Sequence, residues 1–412
     1  MAWTRSSATP SGSTKIRLLE ELKAAAAAAQ ARLAADFDAS QRAEQAGAGV
    51  PTAQLGCGVA AQVALARRDS PHRGGRHLGL ANALVHEMPF TLGALAQGRI
   101  SEWRATLLVR ETACLSREDR ARLDAELCGD PERVTSYGDR RLVAEAKKLA
   151  YRLDPESVVR RSRRAQSDRT VSIRPAPDTV SYLTALVPVA QGVAVYAALK
   201  GVADSLTATG DGLSRGQIMA DTLVERVTGR TTAERVPVAV NLVITAGSAF
   251  GGDDEPGYLD GYGVLPAGIA RDLVGDSECA WLRRLYTSPE SGELVAMDSR
   301  ARLFPEALAR LFRLRDQTCR TPWCDAPIRH LDHIVEHQSG GPTSAANGQG
   351  LCAACNHNKQ ALGWRARPRP GPTHTVETAT PTGHSYLSIP PNLPGQSRHW
   401  RPGEHPGVWS AA

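Results

Sequence analysis

A mainly α-helical chain is predicted: a helical N-terminal region with some α+β structure, then a small zinc-stapled strand-strand-helix module near the C-terminus. Alanine is plentiful, as in the run Ala24 to Ala29, while aromatic residues make up 5% of the 412. That mixture favours helix over an all-β sandwich. Apolar residues recur at helical spacing through much of the first half. Four of the eight cysteines cluster between Cys319 and Cys355. With 42% apolar and 22% charged residues, wholesale disorder and a collagen-like chain are excluded, and the length fits more than one folding unit.

Residues 1–13 read as a flexible Ser- and Thr-containing tail. Thr14 is placed to cap a helix running through Leu18, Leu22 and Leu33 to about Phe37, closed by Gly47, Gly49 and Pro51. A second helical stretch ends at Arg67 and Arg68. His77 to Glu87 follows, with Leu78, Ala81, Leu84 and Val85 on one face and Pro89 as its stop. Helix resumes at Thr91 and ends at Gly98. Ser101 then caps a segment in which Trp103, Leu107 and Leu108 recur at helical spacing. Arg140 to Arg169 is strongly basic, but its interleaved acidic residues read as a solvated helix face.

Thr170 to Ile173 and Asp178 to Leu186 alternate like strands, Val189 to Leu206 returns to helix, and Val236 to Thr245 reads as a buried strand before a turn at Gly251 to Gly257. These signals divide the chain into a helical domain at 14–235, an α+β connecting region at 236–310 and a cysteine module at 311–366. Nine of the 26 prolines lie between Pro368 and Pro406, so 367–412 is expected to be an irregular, extended tail with a short strand at Tyr386 to Ile389.

The N-terminus lacks the apolar core of a secretory signal, and Val236 to Thr245, the longest strongly apolar stretch, is too short to cross a bilayer. A cytoplasmic protein with no membrane partner is expected. Scattered Cys57, Cys114, Cys128 and Cys279 then read as small buried apolar residues. The formal charge is +6, and residues 301–370, with ten basic against five acidic side chains, hold +5 of it. A concentrated positive segment points to a polyanion.

The clustered cysteines fall in two pairs, Cys319 with Cys324 and Cys352 with Cys355, about thirty residues apart. That is the spacing of a four-thiolate structural zinc site. Between the pairs, Asp332-His333-Ile334 reads as a strand end, Gly340-Gly341 as a loop, Asn347 to Leu351 as a strand and Cys352 onward as a helix. Phosphodiester hydrolysis needs a base to deprotonate water and a cation to offset charge on the phosphate and leaving oxygen. Histidine titrates near neutrality, and a carboxylate is a hard oxygen ligand for Mg²⁺ or Mn²⁺. His333 and Asp332 supply both. They would point to opposite faces of a flat strand, so a twist or a strand end is required there. Asn356 or His357 on the helix would complete the cation site. Arg315, Arg320, Arg329 and Lys359 are the candidates for phosphate contacts.

At these residues, over about 313–364, the sequence resembles the HNH endonuclease family. The resemblance implies a ββα-metal fold, DNA as partner and a divalent ion such as Mg²⁺, Mn²⁺ or Ni²⁺. It implies His333 as general base, Asp332 and Asn356 as ligands of the catalytic ion, Asn347 as the residue that ties the loop and orients the base, and the four cysteines as a zinc knuckle. Asn356 stands where the family's name has its final histidine, a weaker ligand, with His357 one register away. The longer chain also resembles the actinobacterial 13E12 repeat family, in which a helical region of unknown function precedes such a module. Glu87 to Gly98, Val193 to Leu199, Asp254 to Gly263 and Arg315 to Cys319 carry that resemblance. Two alternatives to an active nuclease are a DNA-binding protein that keeps the fold without catalysis and a purely structural zinc module.

Overall fold

The computed structural model describes residues 12–207, 212–229, 241–275 and 303–395. The chain divides into two compact units, one of residues 1–161, 295–390 and 405–412, the other of 162–294 and 391–404. Among the described residues no helix is long and apolar enough to cross a membrane.

Helix α1 (Gly12–Gly47) runs well past Phe37. Its leucines are outside: Leu18, Leu22 and Leu33 are exposed, and an alanine stripe of Ala24, Ala27, Ala28, Ala31 and Ala35 is buried instead. Small side chains let α1 approach its neighbours closely, whereas leucines on that face would hold them apart. Those neighbours are α3 (Pro71–His86) and α4 (Pro89–Ala96), with α2 (Val59–Ala66) packed on α3.

Helix α4 begins at Pro89 itself, not at Thr91. Proline is compatible with the first helical position, so one residue both stops α3 and starts α4. The backbone N–H groups of Phe90 and Thr91 donate at 2.7 and 2.9 Å to Asp124 of α6 (Arg117–Cys128), whose buried carboxylate caps α4 from outside. Helices α5 (Glu102–Thr112), α7 (Pro131–Thr135), α8 (Asp139–Leu153) and α9 (Pro155–Ala165) complete the series. Leu84, Met88, Leu95, Leu108, Leu123, Leu127 and Leu142 fill the core. As expected, Ser101 caps α5, its hydroxyl accepting from Arg104 N. The basic stretch lies on α8 and α9, where Lys148 pairs with Glu145 and Arg160 with Glu156.

In the second unit, β1 (Thr170–Pro175) and β2 (Ser181–Leu186) form an antiparallel hairpin. The second strand starts after Asp178 because Asp178 and Thr179 have φ of 62° and 61° and make the turn. Helices α10 (Val189–Thr207) and α11 (Arg215–Thr228) pack together. Strands β3 (Leu242–Val243), β4 (Gly257–Leu259) and β5 (Gly263–Leu265) form a small antiparallel sheet before α12 (Ala267–Gly275). Of the strand expected at Val236 to Thr245, the part up to residue 240 lies outside the described residues, as does Cys279. Cys128 is buried, but Cys57 is exposed and does not fill a core.

Returning to the first unit, α13 (Glu306–Asp316) precedes β6 (His330–His333), β7 (Gly348–Leu351) and α14 (Ala353–Lys359). This is the expected strand, strand, helix. The tail expected to be irregular then holds a three-stranded antiparallel sheet of β8 (Arg365–Arg369), β9 (Thr375–Ala379) and β10 (Ser385–Ser388), with β9 central. Prolines mislead here because they sit where a sheet tolerates them: Pro368 is in an edge strand, and Pro370 and Pro372 lie in the following turn. Val376 and Tyr386 are buried, and Tyr386 meets Trp323 edge to face at 5.8 Å.

Candidate active site

The thiols come from two turns. Trp323, at φ 59°, bends the chain so that Cys324 turns back beside Cys319, with Cys319 N donating to Ala326 O and Cys324 N to Thr321 O. Cys352 is the N-cap of α14, its Sγ accepting from Cys355 N at 3.4 Å. The four Sγ atoms lie within 4.8 Å of one another. Cys324 Sγ is 3.8 Å from that of Cys352 and 3.7 Å from that of Cys355. Tetrahedral zinc with Zn–S bonds of about 2.3 Å demands S–S edges of about 3.8 Å, so the donor set fits the ion. Hydrogen bonds from Cys324 and Cys355 draw the Cys319 thiol below its ordinary range, and the same bonds to Cys319 push Cys324 and Cys355 up. One thiolate thus opposes ionisation of its neighbours, a barrier that a bound cation removes.

Beside this cluster β6 and β7 pair with Asp332 opposite Gln349 and His333 opposite Gly348. His333 is the last residue of its strand, the position that the adjacent Asp-His pair requires. The His333 ring stacks on Phe304 at 4.2 Å between centroids, its Nε2 lies 2.9 Å from Thr343 Oγ1, and His337 meets it edge to face at 5.6 Å. Asp332 is engaged on the α14 side: its Oδ2 accepts from Gln349 Nε2 at 2.9 Å and from Lys359 Nζ at 2.7 Å. Lys359 Nζ also donates to His333 O.

Asn347 is buried and ties the intervening loop. Its Oδ1 accepts from Val335 N at 2.9 Å, and its Nδ2 donates to Val335 O at 3.0 Å and Pro342 O at 2.8 Å. The turn it closes needs glycine at 341, where a Cβ would lie 1.9 Å from Val335 O. On α14, Asn356 Oδ1 is buried with no hydrogen-bond partner among the described residues, while His357 is exposed. An orphaned buried oxygen is costly unless something ligates it. Asp332 and Asn356 carry oxygen atoms, the donor type that a hard divalent cation takes.

Two expected phosphate contacts are corrected. Arg315 is buried and forms a two-point pair with Asp316, Nε to Oδ1 at 2.7 Å and Nη2 to Oδ2 at 3.1 Å, while donating to the carbonyls of Ala345 and Gly348. Arg320 is 3% exposed and donates to His374 O and Ser388 O. Both face inward because the short module is held by a buried charge network: Asp316 also accepts from Gly350 N at 2.8 Å. Lys359 is spent on Asp332. Arg329 is exposed. Phe304 and Gln349, which contact the two key side chains, carried no signal in the sequence. Phe304 lies before α13, far from any motif, and a glutamine between two glycines resembles any strand residue.

Comparison with known proteins finds two family models on the chain. The family described as a domain of unknown function, DUF222, matches residues 16–316, well over half the chain, and the HNH endonuclease family matches residues 317–362. Similar proteins include two from Mycobacterium tuberculosis, the uncharacterized protein Rv2100 of strain H37Rv and the uncharacterized protein MT2160 of strain CDC 1551 / Oshkosh. Each is 31% identical over 136 residues, 32% of this chain and 22% of the relative. The uncharacterized protein Rv3776 of strain H37Rv is 32% identical over 137 residues, 32% of this chain and 24% of that protein. The aligned part thus spans about a quarter or less of the curated relatives it matches. No solved structure matches. The chain belongs to the DUF222 family, and an HNH endonuclease domain follows that region.

Proposed function

We propose that the protein is a metal-dependent DNA endonuclease that hydrolyses phosphodiester bonds at His333. The observation that carries this reading is the end of β6, where His333 is fixed by Phe304 and Thr343 while Asp332 faces α14. A ring held by a stack and a hydroxyl keeps its proton-accepting nitrogen in one direction, which a general base requires. Asn347 pins the loop that carries Thr343 and so positions the base indirectly. Asp332 and Asn356 would hold a divalent ion such as Mg²⁺, Mn²⁺ or Ni²⁺, which when bound offsets charge on the scissile phosphate and the leaving oxygen. The buried, unpartnered Asn356 Oδ1 supports it as ligand over exposed His357. Arg329 serves as a backbone contact. The four cysteines hold structural zinc.

The test is plasmid nicking in Mg²⁺, Mn²⁺ or Ni²⁺. His333→Ala is expected to lose at least about 100-fold in rate, and nicking that survives the substitution unchanged sinks the assignment. A second reading, a DNA-binding protein without catalysis, is favoured by the Lys359 ammonium beside Asp332, which neutralises the carboxylate that an ion needs. It predicts salt-sensitive DNA binding with no cleavage in any divalent ion.

A further inference from the structure

Past Leu362, where the HNH match ends, the edge strand β8 reads Arg365-Ala366-Arg367-Pro368-Arg369. Alternation places the three arginines on one face, and all three are exposed. Beneath them lies Glu377, opposite Arg367 in the register and itself buried. Its carboxylate accepts from Arg367 Nε at 2.9 Å and Nη2 at 3.2 Å, and Arg369 Nε lies 3.0 Å from the same Oε2. One buried anion therefore fixes two guanidinium heads whose side chains remain 64% and 48% exposed. Three arginines over one carboxylate leave a net positive, preorganised surface, and planar guanidinium suits phosphate. An open cleft of about 590 Å³, lined by Val335, Glu336, Lys359, Arg365 and Arg367, runs from this strand to the loop that follows His333.

We propose that the Arg365, Arg367 and Arg369 stripe is a track for the sugar-phosphate backbone of a DNA duplex, delivering it along the cleft toward His333. The choice of DNA as the polyanion rests on the nuclease reading. The competing explanation is that edge-strand arginines only deter pairing with another sheet. That role predicts no effect on nucleic-acid binding, and Pro368 already interrupts this edge.

The experiment measures binding of the full chain to a short DNA duplex across a salt series in Ca²⁺, with plasmid nicking in Mg²⁺ on the same preparations. Each lost phosphate contact lowers the slope of log affinity against log salt by about 0.9. Substituting Arg365→Gln, Arg367→Gln and Arg369→Gln together is expected to reduce the slope by about 2 to 3 and to weaken binding at least about tenfold at moderate salt. The corresponding triple lysine variant is expected to restore the slope. Unchanged zinc content and melting temperature show that the variants fold. A glutamine variant with the wild-type slope, or a wild-type protein with no salt-dependent duplex binding, overturns the proposal. Nicking with an unchanged slope removes the stripe and leaves the nuclease reading intact. Binding lost with the stripe, by a protein that never nicks, supports the stripe and sinks that reading.

Discussion

Asp316 shows how far a single carboxylate reaches in this fold. It is 1% exposed, pairs with Arg315, lies 3.5 Å from Arg320 Nη1 and accepts from Gly350 N, joining α13 to β7. Its place within the Arg315 to Cys319 signature has a physical reason: the module has little apolar core, and a buried anion holds two cations inward. Removing it leaves buried guanidinium groups uncompensated. Asp316→Ala is therefore expected to cost about 3–5 kcal/mol, read as a fall in denaturant midpoint, whereas a change at an exposed surface arginine stays within about 0.5 kcal/mol. His374 is a second test at this scale. Burial, helped by Arg315 and Arg320, pushes it down to about 3, and its Nε2 lies 3.1 Å from Ala346 O. The unfolded histidine takes a proton below about 6.5 and the folded one does not, so the stability from keeping it neutral is complete above that pH and is lost toward pH 3. The expected slope is about 1.4 kcal/mol per pH unit in that window. Denaturant titrations of wild type and His374→Gln should differ by this slope, and equal slopes would refute it.

At the scale of the element, a zinc ion held by the four cysteines would decide whether β6, β7 and α14 exist as a unit. Helix α14 has seven residues and takes its N-cap from Cys352, and an isolated helix that short does not form in water. Cross-linking it to the Cys319 turn through one ion would replace the missing core. Chelation, or Cys352→Ser, is expected to unfold the module and abolish nicking, with metal analysis falling from one zinc per chain toward zero. Retained nicking after complete zinc removal would rule out the staple. Cysteine spacing made this element legible because ligand geometry is local to two short turns. The sheet of β8 to β10 was illegible for the opposite reason: its prolines mark turns and an edge, and what makes these strands is Val376 and Tyr386 finding burial against partners far along the chain.

At the scale of the molecule, the first unit brings a helix against Trp364 of the cysteine module. Gly58, at φ 81°, is the N-cap of α2, and a Cβ there would lie 2.5 Å from Trp364 Nε1. Thr382 Oγ1 donates to Gln62 Oε1 at 3.0 Å beside it. Gly58→Ala must both adopt a disfavoured φ and displace the indole. A loss of about 1–3 kcal/mol is expected, visible as a lower melting temperature with zinc content unchanged. An unshifted melt would show that Trp364 does not seat the module.

The sequence by itself determined the helix-rich class, the Ser101 cap of α5, the two cysteine pairs and the adjacent Asp332 and His333, because periodicity, caps and ligand spacing are short-range properties of a chain. Tertiary structure alone decided which face of α1 is buried, that Arg315 and Arg320 point inward while the β8 arginines point outward, and that Phe304 stacks on His333. Burial of a charge depends on the partners that folding brings around it, and residues such as Asp316, Glu377 and Phe304 acquire those partners only when distant segments meet.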